Sequence, residues 1–584
     1  MESVVKKEPT KSLKGIKTVS IAFVVLILIA ATLFVDQPPR PQPSTAPATQ
    51  FSAERAMQHL QFIAKESRPS GSERIKQVRD YVVAELTSLG IQPQVQQAEG
   101  MTYDNKLLEL HNIVGVLKGK NSEGKALALM THYDSVDLGP GANDAGVSVA
   151  ALIETVRALT NGEPLRNDIW IVITDGEEEG LLGAKEFWGK AEHREQVGLV
   201  ANFEARGSKG ASIMFQTSEE NGALIQHFAE AAPEPVTNSF MGDLYRLLPN
   251  DTDLTVTLRA GIPGINFAYL GGWTAYHTPL DNLDNVELST LQHQGENALA
   301  MARQFGDANL ENLRSPDQVY FSLFNLFIHY PQSIVTPITI LLWFAVVALI
   351  VVAYRQQQIR LRGIMISVLA VIGSAILSLG AAYLLNQFIS KLWAEKMTLF
   401  NGATYDAYLY HISFMLLTLL VQAFLMKKWN DRTNVLEIML VGMMLFLVLL
   451  TVSAIWLPGA SYLWMLPLII HTIVIAFSLF KKDADKVLNG VPAMLITALA
   501  PIVLFTTFLH LLFQAMPLSL TLVLTVIFTF VLALLNPVCR LLTSHHRWFV
   551  IVLSVCMVGL LAWGWINAVP SEARPMYEHL LHDH

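Results

Sequence analysis

The chain has 584 residues, 52% of them hydrophobic, and carries a formal net charge of -8 with a pI near 6.1. An acidic balance without a basic stripe excludes nucleic acid as an expected partner. The only two cysteines, Cys539 and Cys556, fall in the apolar C-terminal half, so the rest has no disulfide framework and must rely on a core of its own.

Five lysines, Lys6, Lys7, Lys11, Lys14 and Lys17, make residues 1–17 a basic cytoplasmic tail. The apolar run 18–35 is just long enough to cross a bilayer, and Asp36 follows it. Ala46-Pro47-Ala48 resembles a signal-peptidase site but lies well beyond that run, so an uncleaved anchor is the expected reading. Residues 36–50, DQPPRPQPSTAPATQ, read as a proline-rich spacer. Residues 51–315 then alternate short apolar strands with helices. Ser52 and Ser72 open the first two helices, and the second presents Ile75, Val78, Val82, Leu86 and Leu89 on one face before Gly90. Strands are expected near 111–117, 126–131, 169–174, 198–203, 212–216 and 263–270, and helices near 147–160, 221–231 and 287–305. That alternation predicts an α/β domain, a mixed and largely parallel sheet with helices on both faces.

Residues 330–567 form an all-α membrane domain with spans expected near 334–354, 364–387, 408–426, 435–456, 462–480, 492–514, 518–536 and 548–567. The connections RQQQIRLR, MKKWNDR, KKDADK and CRLLTSHHR are basic, whereas LPGASY and QAMPLSL contain no Lys or Arg. Basic loops stay inside. With the N-terminus inside, the α/β domain and the tail 568–584 are expected on the non-cytoplasmic side. That side is the periplasm for a bacterium and the endoplasmic-reticulum or vacuolar lumen for a eukaryote. His471 and His510 sit within spans, where they suit interhelical hydrogen bonds or a functional role.

The chemistry concentrates between His132 and Glu178. His132, the pair Glu177–Glu178, Glu204 and His277 fall at or just past the ends of expected strands, the edge where sites form in open α/β sheets, and Asp144 lies in the glycine-rich GPGANDAG just before a helix. His132 and Asp134 at i and i+2 share a side, so Asp134 is placed to orient the imidazole. Two zinc ions would each take three protein ligands: His132, Asp144 and Glu204 for one, Asp144, Glu178 and His277 for the other. Three ligands and a water define an open, catalytic zinc, although cobalt or manganese also suits these donors. Glu177, left free beside Glu178, is the expected general base. Tyr245, Asn250, Asp251 and Asp253 are expected to line a substrate cleft, and Asp281 to orient His277. Asn250-Asp251-Thr252 is also a glycosylation sequon, and the histidines of the tail EHLLHDH are read as solvated.

The segments THYDSV, PGANDAGVSVAALIE, DGEEEGLLGA, NFEARG and YHTPLDNLDNV resemble the di-zinc aminopeptidases of the aminopeptidase Y type. The resemblance runs over about residues 100–300 and is greatest to the membrane-embedded branch, the endoplasmic-reticulum metallopeptidase and vacuolar membrane protease group. It implies a zinc exopeptidase fold, two zinc ions and removal of N-terminal residues from a peptide substrate. It also implies His132, Asp144, Glu178, Glu204 and His277 as ligands and Glu177 as base. Many relatives carry a second acidic residue where this chain has Ala145. Three rival readings follow from the same residues and spans. A glutaminyl-cyclase-like acyltransferase would use one zinc, a receptor or scaffold would have lost ligands, and a transporter would need repeats or charges in the spans.

Overall fold

A computed structural model describes residues 11–397, 403–544, 546–567, 571 and 574. Most of the N-terminal tail and nearly all of 568–584, including EHLLHDH, lie outside the described residues. The chain divides into two compact units, Asp36–Ile334 with Leu457–Ala460, and Met1–Val35 with Val335–Trp456 and Ser461–His584.

The first unit is built on seven strands, β1 (Gln94–Met101), β2 (Leu107–Leu117), β3 (Ala126–His132), β4 (Ile169–Thr174), β5 (Val197–Ala205), β6 (Ile213–Thr217) and β7 (Gly264–Tyr269). They lie in the order β1-β2-β4-β3-β5-β7-β6. The centre, β4-β3-β5-β7, is parallel, and the outer strands β1, β2 and β6 add on antiparallel. The sheet is therefore mixed, with a parallel heart. Central strands are apolar throughout because both faces are covered. Leu127 and Leu129 of β3 pack with the helices Ala53–Ile63, Glu73–Ser88, Ser148–Thr160 and Leu288–Asp307. Ala128 and Met130, one residue out of phase, pack on the other face with Phe187, Trp188 and Leu254.

Local signals act where the sequence places them. The Ser52 and Ser72 side chains accept from the backbone N–H of Arg55 and Ile75 and cap their helices. Ile75, Val78, Val82 and Leu86 are buried, and Gly90 takes φ +86° just beyond the helix.

Two differences from expectation have physical causes. The proline-rich stretch 36–50, expected as a spacer, is strapped onto the α/β unit. Arg55 donates to the carbonyls of Ser44, Ala46 and Gln50, Arg157 to those of Ala48 and Gln50, and the backbone N–H of Gln42 donates to Gln292 at 2.9 Å. At the other end the unit extends past 315 through a hairpin, β8 (Gln318–Leu323) and β9 (Leu326–Pro331).

In the second unit, eight helices among the described residues are long and apolar enough to cross a membrane, Gly15–Val35 being the first. The expected span 518–536 corresponds to the helix pair Leu518–Leu534 and Asn536–Thr543, bent by 87°, which brings the number to nine if counted as one span. His471 Nδ1 lies 2.8 Å from the Pro467 carbonyl on its own helix, whereas His510 bridges to Tyr408 on another helix at 2.9 Å and to Gln514 at 2.6 Å.

Candidate metal centre

The parallel strands deliver the first groups. His132 is the last residue of β3, beside Thr174 at the end of β4, and Glu204 is the penultimate residue of β5. His132 Nε2 stands 3.2 Å from Asp144 Oδ1 and 3.4 Å from Glu204 Oε2. On the other side of Asp144, its Oδ2 is 3.3 Å from His277 Nε2, which is 3.0 Å from Glu178 Oε2. One carboxylate thus faces two imidazoles with its two oxygens. The five side chains form two triads, His132–Asp144–Glu204 and Asp144–Glu178–His277, each with donor atoms within 4.8 Å of one another.

Buried neighbours aim these groups. Asp144 lies in a loop that begins at Gly141 in the left-handed region, where a Cβ would meet the Asp144 carbonyl at 2.4 Å. Asp281 holds that loop from outside, accepting from the Asn143 backbone (2.7 Å), the Asn143 side chain (2.9 Å) and the Asp144 backbone (3.1 Å). Asp281 therefore fixes the Asp144 loop, whereas the sequence suggested that it would orient His277. Arg68, fully buried, ties the same loop to Tyr133, the residue that follows β3. Its Nε donates to Tyr133 O at 2.6 Å, and its terminal nitrogens donate to the carbonyls of Gly141, at 2.9 Å, and Pro140. Burial pulls its pKa down to about 10.

Asp134 sits 3.3 Å from His132 Nδ1 and accepts the backbone N–H groups of Glu177 (3.2 Å) and Glu178 (3.1 Å). It so links the imidazole to the glutamate pair. Glu204 is steadied by Asn202 at 3.1 Å, and Gln294 caps the Glu204 carbonyl at 3.1 Å. His277 reaches the site from a turn beyond β7. It has φ +56°, and its ring stacks on Tyr276 with centroids 3.8 Å apart.

The electrostatics identify what these donors fit. Burial alone would disfavour a charged His132, yet Glu204, Asp134 and Asp144 raise its pKa well above 6.5. Burial likewise opposes charge on His277, but Glu178 and Asp144 push it up to about 10. Burial would raise Asp144, and the two imidazoles instead hold it well below the usual carboxylate range. Carboxylates strong enough to recruit protons onto two buried imidazoles would recruit divalent cations in their place, and metal binding would displace those protons. The donor set thus fits metal. Burial is also the main reason that Glu177 is raised well above 4.5, helped by Glu204, Glu178 and Asp253 and opposed by His132.

The remaining candidates separate. The half-buried Tyr245 packs edge-on to Phe215 at 4.9 Å, and its hydroxyl, pushed up chiefly by burial, feels Glu204 and Glu177. Asp253 does not face a cleft. It is fully buried at the start of the helix Asp253–Arg259, accepts from the Thr174 hydroxyl, and burial with Glu204 raises it to about 7. Asp251 is exposed and pairs with Arg259 at 3.3 Å, while Asn250 is partly exposed. Arg68 and Asn202 were not anticipated. A lone Arg in ESRPSGS reads as a solvated loop residue, and only the fold reveals its carbonyl partners.

Residues 112–302 match Peptidase family M28, on a chain with several membrane-length apolar helices among its described residues. Endoplasmic reticulum metallopeptidase 1 of Homo sapiens is 30% identical over 241 residues, 40% of this chain and 26% of the relative. The vacuolar membrane protease of Candida tropicalis is 27% identical over 300 residues, 48% of this chain and 32% of the relative. The chain thus spans less than half the length of these curated relatives. Among solved structures, an aminopeptidase from Aneurinibacillus sp. strain AM-1 superposes with a TM-score of 0.37 at 15% identity, covering 44% of this chain and 95% of that one.

Proposed function

We propose that the protein is a membrane-anchored zinc aminopeptidase that holds two metal ions and removes N-terminal residues from peptides on the non-cytoplasmic side. The observation that carries this reading is Asp144, whose two oxygens lie 3.2 and 3.3 Å from the imidazoles of two separate ligand triads. His132, Asp144 and Glu204 would hold one ion, and Asp144, Glu178 and His277 the other. When bound, such a pair of ions lowers the pKa of water and polarises the substrate carbonyl.

The chain's own residues supply the rest. Glu177 adjoins a ligand without belonging to either triad, and its backbone is pinned by Asp134. It accepts a proton from the attacking water and returns it to the leaving amine. Tyr245 lines the approach near Glu204. The basic loops between spans support a cytoplasmic N-terminus, which leaves the peptidase domain and the C-terminus outside.

The test uses the full chain purified in detergent against a peptide library, with and without chelator. Glu177→Gln should keep both metal ions by mass spectrometry while hydrolysis falls about 100- to 10,000-fold. Unchanged turnover would remove Glu177 as base, and chelator-resistant cleavage would remove the metal mechanism.

A further inference from the structure

We propose that Arg206 is the carboxylate anchor of the substrate cleft, a specificity-determining cation that binds an anionic group of the peptide beside the metal ligands. The proposal rests on the peptidase reading above. The anionic group is either the free α-carboxylate of a dipeptide or the side chain of an Asp or Glu residue, which share one chemistry.

Arg206 stands two residues beyond Glu204, and its backbone is held without slack. Its N–H donates to Tyr269 O at 3.1 Å, and Ser208 and Lys209 both donate to Gly271 O, at 2.7 and 3.0 Å. Between them Gly207 approaches Gly271 so closely that a Cβ would meet its carbonyl at 2.3 Å. The side chain lies over Trp273, with the guanidinium carbon 4.9 Å from the ring centroid. Trp273 begins the turn Trp273–Ala275, which leads directly into Tyr276 and the ligand His277. Arg206 thus follows one ligand and rests on the segment that carries another. Burial lowers the pKa of Arg206, opposed by the nearby hydroxyls of Tyr276 and Tyr245.

What this cation lacks points to a ligand. Arg206 Nε is buried without a hydrogen-bond partner, and so is the indole Nε1 of Trp273 beneath it. Arg206 takes part in no ion pair among the described residues, although the neighbouring site is crowded with carboxylates. Arg68, a fully buried arginine near the site, spends its nitrogens on three backbone carbonyls. Stacking on Trp273 accommodates the guanidinium face but leaves its in-plane donors unused. A planar fork of N–H donors, held rigidly and partly desolvated, matches a carboxylate. Buried donors without acceptors are unfavourable, and a substrate carboxylate would satisfy them.

The test uses the full-length, zinc-loaded protein and four peptides that share the N-terminal residue X the wild type cleaves best. X-Ala against X-Ala-amide reports the α-carboxylate, and X-Asp-amide against X-Asn-amide reports the side chain. In at least one pair the anionic member should show a kcat/KM higher by roughly tenfold to a hundredfold, the range of a charge-assisted hydrogen bond. Arg206→Met should bring that ratio close to one, with the loss mainly in KM, while metal content stays at the wild-type value. Arg206→Lys should keep part of the ratio, because charge persists without the fork. A wild type that cleaves the peptides but discriminates in neither pair overturns the anchor and leaves the peptidase reading standing. A preference that persists in Arg206→Met does the same, as does cleavage of longer peptides but of none of the four. A wild type that cleaves no peptide at all removes the peptidase reading and the anchor with it.

Discussion

Both units bury polar side chains, and the sharpest contrast lies between the threonines of the membrane helices and the acidic centre. In the membrane unit Thr418, Thr497 and Thr529 each donate to the backbone carbonyl four residues earlier, at 3.0, 2.7 and 2.9 Å. Each hydroxyl is satisfied within its own helix, as an apolar surrounding demands. In the peptidase unit Asp134, Asp144, Glu177, Glu178 and Glu204 converge from different strands and loops on two imidazoles. Local satisfaction yields a scaffold, and converging charge yields a site that needs something bound.

The contrast breaks most severely at Asp144. Asp144→Asn keeps the shape but removes the charge shared by the triads, so bound zinc should fall from about two ions per chain to below one. Two ions retained in that variant would mean that Asp144 does not bridge.

Histidine outside the centre sharpens the comparison next. His293 is buried, its Nδ1 accepts from the Ser212 backbone at 3.1 Å, and burial lowers its pKa to about 4. Neutral in the fold and protonated near 6.5 when unfolded, it stabilises fully above pH 6.5. That contribution is lost as pH falls to about 4, and the difference amounts to roughly 3 kcal/mol. Melting of the full chain between pH 6.5 and 4 should show this slope, and His293→Gln should flatten it.

Asp281 comes third. Asp281→Asn removes the charged acceptor that gathers Asn143 and Asp144, and metal affinity should weaken roughly ten- to hundredfold with the ligands intact. A competition titration with a zinc chelator reads it directly. The smallest effect belongs to the membrane unit, where Thr418→Val should cost about 0.6 kcal/mol in resistance to unfolding in detergent, because the carbonyl keeps its helical partner. A cost above about 2 kcal/mol would mean that Thr418 serves a site of its own.

How much of this was legible follows from the same physics. The membrane helices announce themselves because an uninterrupted apolar run of bilayer length has few other uses. The central strands were visible for a related reason, since burial on both faces leaves them apolar. The edge strand β1, QVQQAEGM, was not, because most of its residues face solvent and no apolar run marks it. The hairpin β8–β9 escaped as well. Its turn places Phe324 and Asn325 at positive φ without the glycine that signals such turns. In the site, four of the five groups of the two triads stood at or past strand ends where motif and edge coincide, and Asp144 stood in a glycine-rich loop that marks itself. Arg68, Asn202 and the buried placement of Asp253 required the fold, because their partners are carbonyls, amides and hydroxyls far away in the chain.

Arg68 carries a practical consequence. It lies upstream of residues 112–302, yet it clamps the loop bearing Asp144 by way of the Pro140 and Gly141 carbonyls. A soluble fragment trimmed to the matched segment would keep all five metal-facing side chains and lose the buttress behind one of them. Such a fragment would be expected to bind zinc poorly for want of an arginine that never touches it, so an expression boundary belongs ahead of the strap that begins at residue 36.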